Sequence, residues 1–285
     1  MAIGYVLYNN MAGYQTTLED VKCLEVVCQE ELKFIDITKV KDYNVFLSGL
    51  EQEDYLIICG GDGTLNRFVN DTDGLEFSGD ILYYPTGTGN DFAHELGKNK
   101  DSTPFPVKKY LKNLPWVEVN GKRYRFLNNV GYGIDGYCCE VGDELKKTSE
   151  KKINYTMIAI KGLLFHFKPR QAKITVDGRT SVYDKVWIAP TMNGKFYGGG
   201  MMPTPEQDRL NERGTLSTMV FHSSGKLKTL LIFPSLFQGK HVKYEKNIDI
   251  LTGKNIIVEF DRLTPLQIDG ETVLGVTSYK VSSAR

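Results

Sequence analysis

Several features that would classify a sequence quickly are missing from this one. No run of about 18 or more apolar residues occurs, the length a helix needs to span a bilayer, so no transmembrane segment is expected. Neither charge is in excess: 35 Lys and Arg stand against 35 Asp and Glu. That balance argues against a protein that grips nucleic acid through a general basic field, and no nucleic-acid partner is expected. The cysteines, Cys23, Cys28, Cys59, Cys138 and Cys139, are odd in number and form no CxxC pair. Such a set argues against a disulfide framework or a zinc site and fits reduced thiols in the cytoplasm. His94, His166, His222 and His241 are scattered without ligand spacing. The opening MAIGYVLYNN has no charged n-region and no small-residue cleavage site, so it reads as a first strand and not as a leader. Neither of the two common phosphate-loop spacings, G-x-x-x-x-G-K-[ST] and G-x-G-x-x-G, occurs. There is no internal repeat or low-complexity tract.

What is present is a globular composition, 41% hydrophobic and 25% charged, over 285 residues, enough for one large domain or two ordinary ones. The first part alternates strand and helix patterns. Strands are expected at 3–8, 34–38, 55–59 and 81–84. Helices are expected over 17–32, where Val21, Leu24, Cys28 and Leu32 share a helical face behind a Thr17/Asp20 capping box, and after Gly63 and Asn90. The continuously apolar YLIIC (55–59) is the pattern of a buried parallel strand. This alternation predicts an α/β domain with an open, mostly parallel sheet over 1–115. Near Pro115 the pattern changes. Asn120-Gly121 and Asp177-Gly178 join strand-like runs as two-residue hairpin turns, and further β runs follow at 215–221, 256–260 and 266–268. A mainly β sandwich is expected over 116–277, with helical insertions at 143–167 and 226–237. The tail 278–285 is expected to pack back onto the first domain.

Two loops carry the chemistry. Gly60-Gly61-Asp62-Gly63-Thr64-Leu65-Asn66 follows the YLIIC strand and opens a helix, which is where open α/β sheets bind ligands. Its glycines let backbone N–H groups approach phosphate oxygens, and the helix directs its positive end to the same place. Asp62 suits a Mg²⁺ held with the phosphates. Alone, such a string is as readily a structural turn. A second loop, Pro85-Thr86-Gly87-Thr88-Gly89-Asn90-Asp91, follows the next strand and again opens a helix. A third, Asn9-Asn10-Met11-Ala12-Gly13, would sit at the same sheet edge.

GGDGTLN followed by PTGTGNDFA resembles the paired signature of the diacylglycerol kinase catalytic-domain family, which includes bacterial lipid kinases and the sphingosine and ceramide kinases. NNMAG resembles its first motif, with Asn10 where Pro is usual. NNVGYGID (128–135) resembles the opening of its second domain, and Gln267-Ile268-Asp269-Gly270-Glu271 its C-terminal Asp-Gly-Glu motif. The resemblance implies a phosphofructokinase- and NAD kinase-like nucleotide domain followed by a β-sandwich that carries the acceptor. It implies ATP and Mg²⁺ as cofactors. Asn9, Asn10, Gly13, Thr38, Gly60, Gly61, Asp62, Gly63, Thr64, Asn66, Gly87, Thr88, Asn90 and Asp91 would bind the nucleotide, with Asp62 organising Mg²⁺. Glu271 would be the general base, with Asp62 and Asp269 the other acids of the site.

One departure concerns a structural Mg²⁺ that the family holds on an Asp-Gly-x-Leu stretch after a Gly-rich, Pro-containing loop. Here the loop is Gly198–Pro203, but the stretch reads Glu212-Arg213-Gly214-Thr215-Leu216. Arg213 in place of the Asp would repel the ion, so this second metal site is expected to be absent. Glu206, Asp208 and Glu212 read as a solvated loop. The helical runs 153–167 and 227–237, rich in Leu, Ile, Phe and Met with Lys151, Lys152, Lys161, Lys168 and Arg170 around the first, are expected mostly to cover the sandwich; a membrane-surface face is the other reading. The expected protein is a cytoplasmic, peripherally membrane-associated ATP-dependent lipid kinase acting on a hydroxyl such as that of diacylglycerol. The choice of lipid stays open, and so does a homodimer through sandwich edges. Two other readings stay open: a kinase of a soluble substrate related to NAD kinase, and a noncatalytic nucleotide- or lipid-binding regulator.

Overall fold

The computed structural model describes the chain except residues 1, 11–15, 88 and 149–154, and it divides into two compact units, Met1–Lys112 and Asn113–Arg285. In the first unit the elements run β1 (Ile3–Tyr8), α1 (Leu18–Lys22), α2 (Leu24–Val27), β2 (Glu31–Asp36), α3 (Tyr43–Ser48), β3 (Tyr55–Gly60), α4 (Asp62–Asp71), β4 (Ile81–Pro85), α5 (Asp91–Glu95), β5 (Phe105–Pro106) and α6 (Lys108–Leu111). The sheet order is β2-β1-β3-β4-β5. The first four strands are parallel and β5 is antiparallel to β4. Because Tyr8 stands beside both Asp36 and Cys59, and Gly60 beside Pro85, the segments that follow β1, β2, β3 and β4 leave the sheet at one edge.

The side chains of Leu56, Ile57, Ile58 and Cys59 are wholly buried, as a central parallel strand requires. Tyr83 packs edge-to-face on both Phe92 and Phe105, with centroids 5.8 Å apart in each pair. That packing seats α5 beneath the loop that precedes it. The helix expected over 17–32 is a correction. The capping box of Thr17 and Asp20 forms, but Cys28 is already extended and Leu32 belongs to β2. Pairing of Glu31–Asp36 with β1 claims those residues, and backbone ladder bonds outweigh a helical apolar spacing.

The second unit contains β6 (Trp116–Val119), β7 (Lys122–Arg125), β8 (Asn129–Tyr132), α7 (Ile134–Thr148), α8 (Tyr155–Lys161), a π-helical turn at Gly162–His166, β9 (Arg170–Val176), β10 (Arg179–Val186), β11 (Thr191–Met192), β12 (Leu216–Phe221), α9 (Lys226–Ile232), β13 (Ile248–Gly253), β14 (Asn255–Ile268) and β15 (Glu271–Ser282). One antiparallel sheet runs β13-β12-β11-β8-β14-β15-β6-β7, with β9 also on β14 and β10 on β9. The long β14 is shared between two layers, pairing β9 through Ile256–Phe260 and β8 through Leu266–Ile268. Between the layers lie Val117, Phe126, Tyr132, Ile174, Val258 and Tyr279. The outer face is covered by helices, with Ile134, Leu163, Trp187, Ile232 and Phe233 buried together. The expectation that these helices mostly cover the sandwich holds for those side chains. The first insertion starts earlier than expected, at Ile134, and Lys151, Lys152 and residue 153 lie outside the described residues.

Residues 278–285, expected on the first domain, belong to the second unit. Tyr279 and Val281 are buried in its core, Lys280–Ser282 pair with β6, and the Ser283 N–H donates to Lys254 O at 2.9 Å. Apolar alternation along β15 commits the tail to the sandwich.

Asp135 is buried in the first turn of α7. Its Oδ1 accepts the Gly136 N–H at 3.0 Å, while Oδ2 has no hydrogen-bond partner and faces Gly131 so closely that a Cβ there would collide with it. Burial pushes the Asp135 carboxyl from 3.8 up to about 7, against the smaller pull of its hydrogen bonds. The folded state therefore keeps a proton that the unfolded chain releases near pH 3.8. This group's stabilisation is complete below that value and is lost as pH rises through about 7. Asp135→Asn imitates the neutral acid. It should gain stability over the wild type between about pH 5 and about pH 9, by on the order of a few kcal/mol. Urea midpoints of both proteins across that range measure the difference, and identical pH dependence would refute the assignment.

Candidate active site

In the first unit two glycine loops meet backbone to backbone. A Cβ on Gly61 would lie 3.3 Å from Gly87 Cα, and a Cβ on Gly87 would collide with Gly61 Cα. The Gly60 carbonyl accepts the N–H groups of Thr86 at 3.0 Å and Gly87 at 3.3 Å, and the Tyr83 hydroxyl at 3.0 Å. Gly60 itself has no room for a side chain because Thr64 packs over it. Asp62 then ties the loops together: its Oδ2 accepts the Asp91 N–H at 2.7 Å and its Oδ1 the Phe92 N–H at 3.1 Å. One loop's acid thus caps the helix that the other loop opens.

Asn90 is buried in the left-handed region, at φ 47, and its Nδ2 donates to Gly87 O at 2.6 Å. Its Oδ1 is buried without a hydrogen-bond partner. An orphaned acceptor costs about 1–3 kcal/mol unless something donates to it, so the loop suits a ligand bearing a hydroxyl or amino group. Below it the ten-residue α4 presents its N-terminal N–H groups, which have no intrahelical acceptor. The donor set fits a nucleotide phosphate.

The other expected nucleotide residues divide. Asn9 is buried at the end of β1. Thr38 does not stand open at the end of β2: its N–H and hydroxyl both donate to Asp36 Oδ1, at 3.0 and 2.7 Å. Asn66 is buried in α4 and accepts Asn70 Nδ2 at 3.2 Å. Asn10 is exposed beside residues 11–15. Gly13 and Thr88 lie outside the described residues.

In the second unit Asp269 and Gly270 form the two-residue turn between β14 and β15, at φ 46 and 93, the same positive-φ turn as Asn120-Gly121 and Asp177-Gly178. This turn is also tied sideways. Asp269 Oδ2 accepts the Leu127 N–H, its Oδ1 accepts those of Asn128 at 2.7 Å and Asn129 at 2.9 Å, and its own N–H donates to Asn129 O at 3.0 Å. Gln267 Oε1 accepts the Gly270 N–H at 2.8 Å. Burial raises the Asp269 carboxyl above its ordinary range, opposed by the three N–H groups and by the Arg209 charge. Glu271, by contrast, is exposed at the first position of β15. Asp269 is thus built into the backbone, and Glu271 is the acid of the pair that meets solvent.

Sequence reasoning passed over Arg209. It is 2% exposed, with Nη1 donating to Leu127 O at 3.3 Å and Nη2 to Asn128 Oδ1 at 3.0 Å. A lone Arg in a loop gives no signal in one sequence, because its burial depends on strands far away in the chain. The turn where the second metal is expected to be absent is packed against the C-terminal residue, with Arg285 Cβ and carbonyl over Gly214. Arg285 donates to Arg209 O and crowds Gly214, and Arg213 stands beside that glycine. A recess of about 390 Å³ on the same loop is lined by Thr204, Glu206, Asp208, Asn211, Ser217 and Thr252.

A model of the diacylglycerol kinase catalytic domain matches residues 4–113, and one of the YegS C-terminal NAD kinase beta sandwich-like domain matches residues 128–282. The chain is 25% identical over 250 residues to "Putative lipid kinase YtlR" of Bacillus subtilis (strain 168), covering 80% of this chain and 77% of that protein. It is also 25% identical over 213 residues to "Diacylglycerol kinase" of Mycobacterium tuberculosis (strain ATCC 25618 / H37Rv), covering 72% of this chain and 67% of that protein. Among solved structures, a "putative diacylglycerol kinase" from Bacillus anthracis str. Sterne superposes with a TM-score of 0.68 at 22% identity, over 99% of this chain and 93% of that one. At that identity the superposition speaks for the fold, an α/β domain followed by an antiparallel sandwich. With the glycine loops paired in the first unit and the Asp-Gly-Glu turn built into the second, the two matched models place this chain in the diacylglycerol kinase catalytic-domain family.

Proposed function

We propose that the protein is an ATP-dependent lipid kinase that transfers the γ-phosphate to a hydroxyl of a lipid such as diacylglycerol. The observation that carries this reading is the contact of Gly61 with Gly87 at the start of α4, with the orphaned Asn90 Oδ1 beside it. Backbone glycines that close leave N–H groups, not side chains, to meet phosphate oxygens. Mg²⁺, when bound with the nucleotide, offsets charge on those oxygens, and Asp62, each of whose oxygens accepts one N–H of α5 and has a second lone pair, is the acid of the first loop to order it. Glu271 takes the proton from the acceptor hydroxyl, and Asp269 fixes the turn on which Glu271 sits.

A lipid acceptor at a membrane surface is supported by one face of the second unit. Phe165, Leu227 and Leu231 are 73%, 75% and 79% exposed. Lys226 Nζ donates to Leu164 O at 2.6 Å, which brings the start of α9 to the π-helical turn. Residues 155–170 and 226–244 contain no Asp or Glu, while Lys161, Lys168, Lys226 and Lys228 are exposed. Apolar tips with basic neighbours favour an anionic lipid surface. No helix among the described residues is long and apolar enough to cross a membrane.

The reading is tested by transfer of labelled γ-phosphate from ATP with Mg²⁺ to micellar diacylglycerol, sphingoid base, ceramide and polyprenol, with NAD alongside. Label is expected on a lipid, and Glu271→Gln should lower kcat by about 10²–10⁴-fold while ATP affinity stays near wild type. Label on NAD alone would assign the chain a soluble acceptor, and an unaffected Glu271→Gln would remove that residue as the base. The two glycines should also separate. Gly87→Ala forces its Cβ into Gly61 Cα and should abolish ATP binding by calorimetry. Gly61→Ala needs a shift of only a few tenths of an ångström from its 3.3 Å contact and should retain binding within about tenfold. Equal effects of the two substitutions would contradict the paired-loop account.

A further inference from the structure

Leu127 and Asn128 are held from two sides. From one side Asp269 accepts their N–H groups, and that of Asn129. From the other, Arg209 donates to the Leu127 carbonyl at 3.3 Å and to the Asn128 side-chain oxygen at 3.0 Å. Two further ties come from the segment leading to Arg209. Asn193 Nδ2 donates to Leu127 O at 2.8 Å, and Gln207 Nε2 in turn donates to Asn193 O at 3.3 Å. The C-terminal residue closes the set, since the Arg285 guanidinium donates to the Arg209 carbonyl. Arg209 is a charge with 2% of its surface exposed. Such a charge persists only when paired and hydrogen-bonded, and Asp269 is the acid that bonds the same two residues.

We propose that Arg209 is the positioning residue of the Asp-Gly-Glu turn, holding residues 127–128 and the Asp269 carboxylate in the one arrangement that fixes where Glu271 stands. The physical reason lies in what an ionised carboxylate can do. Ionised Asp269 is an acceptor on both oxygens and can hold all three N–H groups; protonated, one oxygen becomes a donor facing other donors. Burial favours the protonated form of this carboxyl, and the three N–H bonds, joined by a nearby cation, oppose it. Arg209 supplies that cation from a buried position. Asp269 sits at φ 46, as is usual in an Asp-Gly hairpin turn, and its bonds to residues 127–129 are what tie that turn sideways. Loosening 127–129 therefore releases the turn, and the first residue of β15 moves with it.

The consequence for catalysis rests on the kinase reading above, but the positioning itself does not, and the test separates them. The backbone amides of residues 127–129 and Gly270 are followed by ¹⁵N NMR across pH in the wild type, Arg209→Met and Arg209→Lys. In Arg209→Met the titration that these amides report is expected to move up from its wild-type position. In Arg209→Lys, which keeps the charge and loses the fork, it should move less than in Arg209→Met. If lipid is phosphorylated, the acid limb of the kcat profile in Arg209→Met should rise by the same interval, with acceptor KM changed less than about threefold. A structural role alone would lower activity at every pH without moving the limb. An upward shift of the amide titration in Arg209→Met, with a wild type that phosphorylates nothing, would leave the positioning role standing and remove the kinase reading. Unmoved amides and an unmoved titration in Arg209→Met overturn the proposal. Should that variant fail to fold, Asn128→Ala, which removes the Nη2 acceptor alone, must displace the Leu127 and Gly270 amides; wild-type shifts there overturn it equally.

Discussion

Asp269 accepts three consecutive backbone N–H groups, those of Leu127, Asn128 and Asn129, and by doing so fastens the β14–β15 turn to the start of β8. These segments are more than a hundred positions apart in the chain, and no side-chain packing would fix them as closely. Hydrogen bonds to an ionised acceptor are worth about twice a neutral one, and here they converge on one carboxylate. The turn is otherwise an ordinary Asp-Gly hairpin connection, like Asp177-Gly178. What turns it into a candidate site is the lateral tie, with Glu271 left exposed at its edge.

The first unit is organised by a comparable constraint, made from the absence of side chains. Gly61 and Gly87 touch, and Asp62 reaches across to cap α5. The loops keep their shape because Tyr83, under the sheet edge, is locked between Phe92 and Phe105 and donates to Gly60 O. A loop that must approach phosphate closely cannot carry its own packing, so the aromatic cluster supplies it from below.

The parts of this arrangement that were legible in the sequence are those written in local code. Asn-Gly and Asp-Gly marked hairpins because few residues tolerate positive φ. YLIIC marked a buried strand, and GGDGT and PTGTGND marked the turns at its edge. The helix over 17–32 was misread because the strand that takes Leu32 is specified by its partner β1, not by its own spacing. Asp62 was assigned to Mg²⁺ on its type and place, and nothing local foretold that both its oxygens would cap a neighbouring helix. Thr38 was placed by its strand end alone, and its bonds to Asp36 could not be read from that position. Arg209 and the tail ending at Arg285 escaped for the same reason: their partners are set by the closure of the sandwich.

The central claim is transfer of phosphate to a lipid hydroxyl. It is tested most directly by incubating the protein with Mg²⁺, mixed anionic vesicles and ATP carrying ¹⁸O on the γ-phosphate, then reading the extracted lipids by mass spectrometry. The account predicts a lipid that gains an intact labelled phosphoryl group. Label found only in free phosphate, or retained entirely in ATP while the nucleotide is bound, would contradict it.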